Sequence, residues 1–409
     1  MLAPPTLLLA QADSARAIAS VYTVSLLTVL PIGLAAAAAV GLRRASAEAR
    51  ALVWRSAVLA LLVVFIGRQL PLQWVAWVVP SFLATPLVAL GRVQVSAASL
   101  QAGGVDAAPR LVTLLLALYV AGVVVVIAPT VASLLSVRSG MRNAIPVRDD
   151  TWNRLMAEIT ARLGVARSVR VFISTDAVVP MTWGLLRPVI VLPAAAATWS
   201  HAERRMVLMH EMAHVSSADW AFNVLARLLC GLLWFNPGVW WIARSLRDDC
   251  ELACDDRVIA AGVRRSDYAE LLVHAADARA NAALPTAALA LSRRHGLRAR
   301  LAAVLDVRHD VRPLARGWVG VAAVLTFSVA APTSVVQLAP TRDVLTSLMS
   351  DAEWQSRAYA VLGLARRPDS VAVARSAAEQ DPSPSVRAWA RYALAQSGVR
   401  LLPAEPRVQ

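Results

Sequence analysis

The 409-residue chain contains no lysine, so all 41 of its basic residues are arginine. Serine acylation chemistry built on S-x-x-K and K-T-G is therefore excluded for these residues. Charge of either sign is scarce: charged residues make up 17% of the chain, where a soluble globular protein carries about a quarter. Cysteine is limited to Cys230, Cys250 and Cys254. An odd number of cysteines, close in sequence, excludes a disulfide-stapled scaffold and favours reduced thiols facing the cytosol. The first 16 residues lack the basic start and small-residue cleavage site of a signal peptide, so the first apolar stretch is expected to be a retained anchor. Apolar residues, in contrast, reach 57%, and the mean hydropathy is +0.55. Disorder and collagen are excluded, and several membrane spans are expected.

Four stretches are long enough for the roughly 20 residues that a membrane helix needs: 18–42, 51–75, 111–135 and 317–338. The second carries Arg55 and Arg68, and its apolar run continues to Leu90 through Pro71, Pro80 and Pro86. Residues 70–90 are thus expected to form either an extra span or a re-entrant segment. Arginines cluster after the first span (Arg43, Arg44, Arg50, Arg55), after the third (Arg138, Arg142, Arg148) and before the fourth (Arg308, Arg312, Arg316). The long connection between spans two and three has only Arg92 and Arg110. The positive-inside rule then places 138–316 in the cytosol and the tail after 338 outside. Much of the net charge of +14 is accordingly topology. No basic stripe marks a nucleic-acid surface, and the lipid bilayer is the expected partner.

The segment between spans three and four mixes helix and strand. Val169 to Ile173 and Pro188 to Leu192 read as short strands. Ser200 followed by Glu203 is a capping box that starts a helix. Asn236-Pro237 starts another, which continues to about Ala260. In the tail, Ser356-Arg357-Ala358-Tyr359-Ala360 lines up with Val386-Arg387-Ala388-Trp389-Ala390 thirty residues later. An Ala/Leu/Arg helical period of that length reads as a short HEAT-like α-solenoid of one and a half to two repeats.

The chemistry is concentrated in His210-Glu211-Met212-Ala213-His214. Histidines at i and i+4 share a helix face, so both imidazoles can reach one metal ion. Glu211 sits beside the first of them, where it can take a proton from the attacking water. Chance gives HExxH in roughly two per thousand sequences of this composition. A catalytic zinc uses three protein ligands and keeps an open position. Glu251, on the helix that starts at Pro237, is the expected third ligand. Asp255, one turn further, is expected to accept an N–H from a ligand histidine. The plain alternative is a solvated acidic face formed by Asp248, Asp249, Glu251, Asp255 and Asp256. Cys250 and Cys254 are expected to be buried core residues, with Cys254 pointing off the Glu251/Asp255 face.

These motifs, in order, resemble a known family. Gly184 to Pro193 (GLLRPVIVLP), HEMAH with Asp219 five residues on, Trp234-Phe235-Asn236-Pro237 and Glu251-Leu252-Ala253-Cys254-Asp255 are similar to those of BlaR/MecR-type antirepressor metallopeptidases. The resemblance covers roughly residues 17–340. It implies a mainly α, multi-pass protein of the inner (cytoplasmic) membrane with an inserted α+β zincin domain. Residues 1–137 would be a three-span module, 138–316 a cytosolic zinc peptidase, 317–338 a fourth span and 339–409 an extracytoplasmic HEAT-like tail. Its implied zinc ligands are His210, His214 and Glu251, and its implied base is Glu211. It further implies that a signal received outside leads to cleavage of a cytosolic winged-helix repressor or of the protein itself. The best-known members end in a penicillin-binding domain, which a lysine-free chain with about 70 residues after the last span is not expected to form. Two readings of the tail stay open: it binds a protein or peptide ligand as the stimulus, or it only packs on the outer face and stabilises the spans.

Two other readings remain open from sequence: an HtpX-like quality-control protease, and a non-catalytic receptor or scaffold acting through the tail. Weaker candidates accompany them. Asp219 would orient the catalytic helix or serve as a solvated carboxylate. Tyr268 is a conceivable oxyanion donor, and the strand 189–192 a conceivable substrate-pairing edge. Trp234, Trp240 and Trp241 would dock a substrate or set the site at the membrane surface, or, on the plainer reading, form a packed or interfacial hairpin. His201, His274, His295 and His309 read as surface residues.

Overall fold

The computed structural model describes residues 24–69, 75–78, 107–175, 177, 179–282, 287–309, 311, 314–315, 317–339 and 342–396. It is mainly helical, with a small sheet, and divides into two compact units. One consists of Thr28–Val63 with Gly122–Ala330; the other of Met1–Leu27, Val64–Ala121 and Ala331–Gln409.

Among the described residues, three helices are long and apolar enough to cross a membrane: α1 (Val24–Gly41), α2 (Ala47–Gln69) and α3 (Ala107–Gly140). Leu114, Leu118 and Val125 on α3 are exposed, as a lipid-facing surface requires. The second expected span, 51–75, is shifted: α2 starts at Ala47 and ends at Gln69, and Val75 already belongs to strand β1 (Val75–Val78). At the fourth expected span, 317–338, the chain forms the shorter apolar helix α10 (Gly317–Val335), which is not among those three, and its last residues turn instead into strand β6 (Val336–Ala339), which pairs in parallel with β1. Val335 and Val336 are β-branched, which favours strand over helix once the chain pairs. Residues 18–23, the rest of 70–90 and the His295 side chain lie outside the described residues.

In the unit with Gly122–Ala330, a four-stranded sheet has the order β2 (Ile145–Pro146), β3 (Arg170–Ser174), β5 (Val189–Pro193), β4 (Met181–Trp183). β5 runs parallel to β3 and antiparallel to β4, and every one of its residues is buried. Ile190 and Leu192 face one core, with Trp152, Leu155 and Ile159 of α4 (Asp150–Leu163) and Met206, Met209 and Met212 of α5 (His201–Ser216). Val189 and Val191 face the other side, against Ala177, Met181 and Trp183. The alternation follows from the two-residue period of a strand. β5 is paired on both sides over Val189–Val191. The strand expected as a pairing edge at 189–192 is therefore an interior strand, and β4 ends the sheet beside it.

The helix starts follow local chemistry. Ser200 Oγ accepts from Glu203 N while Glu203 returns a bond to Ser200 N, closing the capping box of α5. Asn236 caps α7 (Pro237–Ala260) with Pro237 at its first position. Between α5 and α6 (Asp219–Leu232), Ala218 adopts φ 55°. This left-handed turn folds Asp219 back beside the end of α5.

In the other unit, the tail holds α11 (Arg342–Leu348), α12 (Trp354–Leu364), α13 (Val371–Gln380) and α14 (Pro384–Gln396), packed around Ala358, Val361, Ala374, Val386, Ala390 and Leu394. The thirty-residue repeat recurs in the hydrogen bonds. Arg357 donates to the carbonyls of Asp351 and Ala352, and Arg387 does the same to those of Asp381 and Pro382.

Candidate metal centre

The site is built where α5 and α7 cross. Helical spacing stacks His210 and His214 one turn apart, with ring centroids 4.8 Å from each other and Nε2 atoms 3.3 Å apart. Glu251 arrives from α7, its carboxylate oxygens 3.7 Å from His210 Nε2 and 3.8 Å from His214 Nε2. The three donor atoms lie within 4.8 Å of one another.

The outer nitrogen of each histidine is occupied. His214 Nδ1 lies 2.8 Å from Asp219 Oδ2. His210 Nδ1 lies 3.2 Å from Asp255 Oδ1 and 2.9 Å from the hydroxyl of Tyr268 on α8 (Arg265–Ala282), which itself donates to Asp255 Oδ1 at 2.7 Å. With Nδ1–H donating outward, both Nε2 lone pairs converge on one point. Two nitrogens at zinc–nitrogen distance in a tetrahedral site stand about 3.3 Å apart, which is the observed separation. Two histidines and one carboxylate are the donor set of a catalytic zinc site, and the residues present fit that metal.

Electrostatics favour a cation in the same place. Burial would lower the His214 pKa, but Cys254, the hydrogen bond to Asp219 and the Glu251 charge raise it well above the usual imidazole value. Burial would raise Asp219, yet its hydrogen bond to His214 and the charge of Arg55 hold it at about 2. Asp255 is likewise held well below the carboxylate range: burial is outweighed by Arg300 and His210. Glu251 is lowered in the same way, with Arg300 the principal cause against burial. The acidic residues are therefore ionised. The solvated-face alternative fails for Asp255 and Asp219, which are 1% and 2% exposed.

Glu211, next to His210 in sequence, is buried. Its Oε2 accepts a 2.6 Å hydrogen bond from Thr182 Oγ1 on β4. Sequence reasoning missed Thr182, which has no spacing relation to the helix it contacts.

Two arginines were missed as well. Arg300, on α9 (Ala287–Leu305), binds Asp255 with Nε and Nη2, each at 2.7 Å, and Glu251 with Nη1 at 2.8 Å. Arg55, on α2, binds Asp219 Oδ1 at 2.6 Å. An arginine inside an apolar span was the available signal for the second.

Other expectations are corrected. Cys254 does not point away: its Sγ is 3.3 Å from His214 Nδ1. Burial pushes its thiol up to about 11. Tyr268 is not free to serve as an oxyanion donor, since it is 1% exposed and its hydroxyl is committed to Asp255 and His210. Burial, then the Asp255 charge, raises its pKa well above 10, which keeps it a donor. His309 is no bare surface residue, with Nε2 2.9 Å from Asp256 Oδ1. Trp240 donates to the Trp234 carbonyl and Trp241 packs edge-on against Trp54, as a packed hairpin requires.

Residues 20–304 match the protein-family model described as BlaR1 peptidase M56. Over 80 residues the chain is 36% identical to the regulatory protein BlaR1 of Bacillus licheniformis, covering 20% of this chain and 13% of that protein. Over 81 residues it is 36% identical to the methicillin resistance mecR1 protein of Staphylococcus aureus, covering 20% and 14% respectively. The matched stretch thus spans about a seventh of these curated relatives.

Proposed function

The chain belongs to the BlaR1 peptidase M56 family, and from that premise we propose that it is a membrane zinc endopeptidase that relays a signal by cutting protein. The observation that supports this reading best is the convergence of His210, His214 and Glu251 within 4.8 Å, with Glu211 alongside. His210, His214 and Glu251 would hold the zinc. The metal, when bound, supplies Lewis-acid polarisation of the scissile carbonyl and acidification of the attacking water. Glu211 takes the proton from that water and returns it to the leaving amine. Thr182 holds the Glu211 carboxylate in one orientation for both transfers. The free edge of β4 pairs with the substrate backbone and presents it to Glu211.

The substrate class is a cytosolic repressor of winged-helix type, the chain itself, or both. The stimulus is an extracytoplasmic protein or peptide that docks on the HEAT-like tail between Arg357 and Arg391 and shifts α10.

The test begins with metal. Purified full-length protein should carry about one zinc, and His210→Ala, His214→Ala or Glu251→Ala should lose it. Glu211→Gln should keep zinc and fold but leave both a co-expressed repressor and the chain uncut. Stoichiometric zinc in Glu251→Ala would refute the ligand set, and normal cleavage by Glu211→Gln would refute the base. Deleting residues 345–409 should abolish stimulus-dependent cleavage; unchanged signalling would move the sensor elsewhere.

A further inference from the structure

The site has two arms that correspond part for part. His210 Nδ1 meets Asp255, and Asp255 is gripped by Arg300; His214 Nδ1 meets Asp219, and Asp219 is gripped by Arg55. The arms differ in origin. Arg300 comes from α9, whereas Arg55 comes from α2, a helix apolar and long enough to cross a membrane.

Arg55 lies about 12 Å along α2 from Ala47. A guanidinium at such a position is expensive to desolvate and marks function by default. Net stability is a poor explanation, because a buried ion pair seldom surpasses apolar packing of the same volume. The details point the same way. Arg55 Nη2 reaches Asp219 Oδ1 at 2.6 Å and Cys250 Sγ at 3.5 Å, and the guanidinium sits 5.9 Å from the Phe222 ring. Its Nε, however, is buried with no hydrogen-bond partner. The side chain thus forgoes its own full hydrogen bonding while Nη2 meets one oxygen of Asp219. The other oxygen of Asp219 meets His214 Nδ1. Next to it, Arg50 Nε and Trp54 Nε1 each bind Asp249 at 2.8 Å, which fixes this turn of α2 to α7.

We propose, resting on the metal reading above, that Arg55 is a positioning residue of the metal centre, which makes the membrane helix α2 part of that centre. Arg55 holds Asp219, Asp219 holds the His214 N–H, and His214 Nε2 stays aimed at the metal. Coupling of this kind is reciprocal: displacement of α2 weakens metal binding, and bound metal restrains α2.

The experiment is a cycle of zinc affinities, measured on full-length protein by competition with a chromophoric chelator. Arg55→Gln and Asp219→Asn are each expected to weaken zinc binding by about 10- to 100-fold. The double variant should be little weaker than either, since Arg55 acts only through Asp219. Unchanged affinity in Arg55→Gln would overturn the assignment. So would multiplication of the two effects, which is what a general packing role predicts. If Arg55→Gln does not fold, Arg55→Lys, which keeps the charge on a single ammonium, carries the same cycle. Wild-type protein that binds no zinc would defeat the underlying metal reading, and that result precedes any variant.

Discussion

Thr182 Oγ1 stands 2.6 Å from Glu211 Oε2, joining the terminal strand of the sheet to the carboxylate beside the first histidine. The same hydroxyl lies 3.3 Å from the Glu211 backbone carbonyl. A hydrogen bond to an ionised carboxylate is worth about 1.5–3 kcal/mol. Thr182→Val keeps shape and removes the donor, so zinc content and KM should hold while kcat falls by about tenfold or more. Thr182→Ser should restore most of the rate. Equal kcat in Thr182→Val and wild type would show that Glu211 needs no such support.

Asp256 gives a pH dependence of defined sign. Burial raises its pKa to about 6 despite the neighbouring His309, and Asp256 Oδ2 is buried without a hydrogen-bond partner. The unfolded value is about 3.9, so between these pH values the folded state binds more protons than the unfolded state. Stability therefore falls as pH rises from about 4 to about 6. Asp256→Asn should flatten that fall, seen in unfolding midpoints at pH 4.5, 5.5 and 6.5. Parallel curves for the two proteins would contradict it.

Arg357 closes the tail repeat. It binds both oxygens of the buried Asp381, at 3.0 and 3.1 Å, and the carbonyls of Asp351 and Ala352. Arg357→Ala leaves Asp381 without its counter-ion and should destabilise the repeat by about 1–3 kcal/mol. Limited proteolysis should then cut within 342–396 sooner than in wild type. Arg387→Ala, which removes bonds to two carbonyls only, should have the smaller effect; the opposite ranking would place the repeat's anchor elsewhere.

Arginine asymmetry around the apolar helices predicts opposite compartments for residues 138–316 and 340–409. Reporters fused after Arg148 and after Gln396 should give opposite signals, the first cytosolic. Matching signals would require an additional span, most simply within 70–90.

What the sequence determined by itself was whatever depends on short, periodic spacing. The starts of α5 and α7 follow from Ser200/Glu203 and Asn236-Pro237, because caps act within one helical turn. That His210 and His214 share a face follows from the four-residue interval, and the apolar lengths of α1, α2 and α3 from composition. The placement of Glu251 against the histidines across 37 residues was legible from its four-residue interval to Asp255 on the helix that starts at Pro237, and the order of motifs matched a family as well. The remainder was decided by tertiary structure. Strand order made β4 rather than β5 the edge, a choice that rests on which backbone groups remain unpaired after the sheet assembles. Helix packing set Cys254 beside His214 and enclosed the Tyr268 hydroxyl. Arg55 and Asp219 meet across 164 residues, and Arg300 meets Asp255 across 45. Neither interval carries a periodic signature. A buried charge selects its partner by proximity in the folded chain, and proximity between distant segments exists only once the apolar faces have packed.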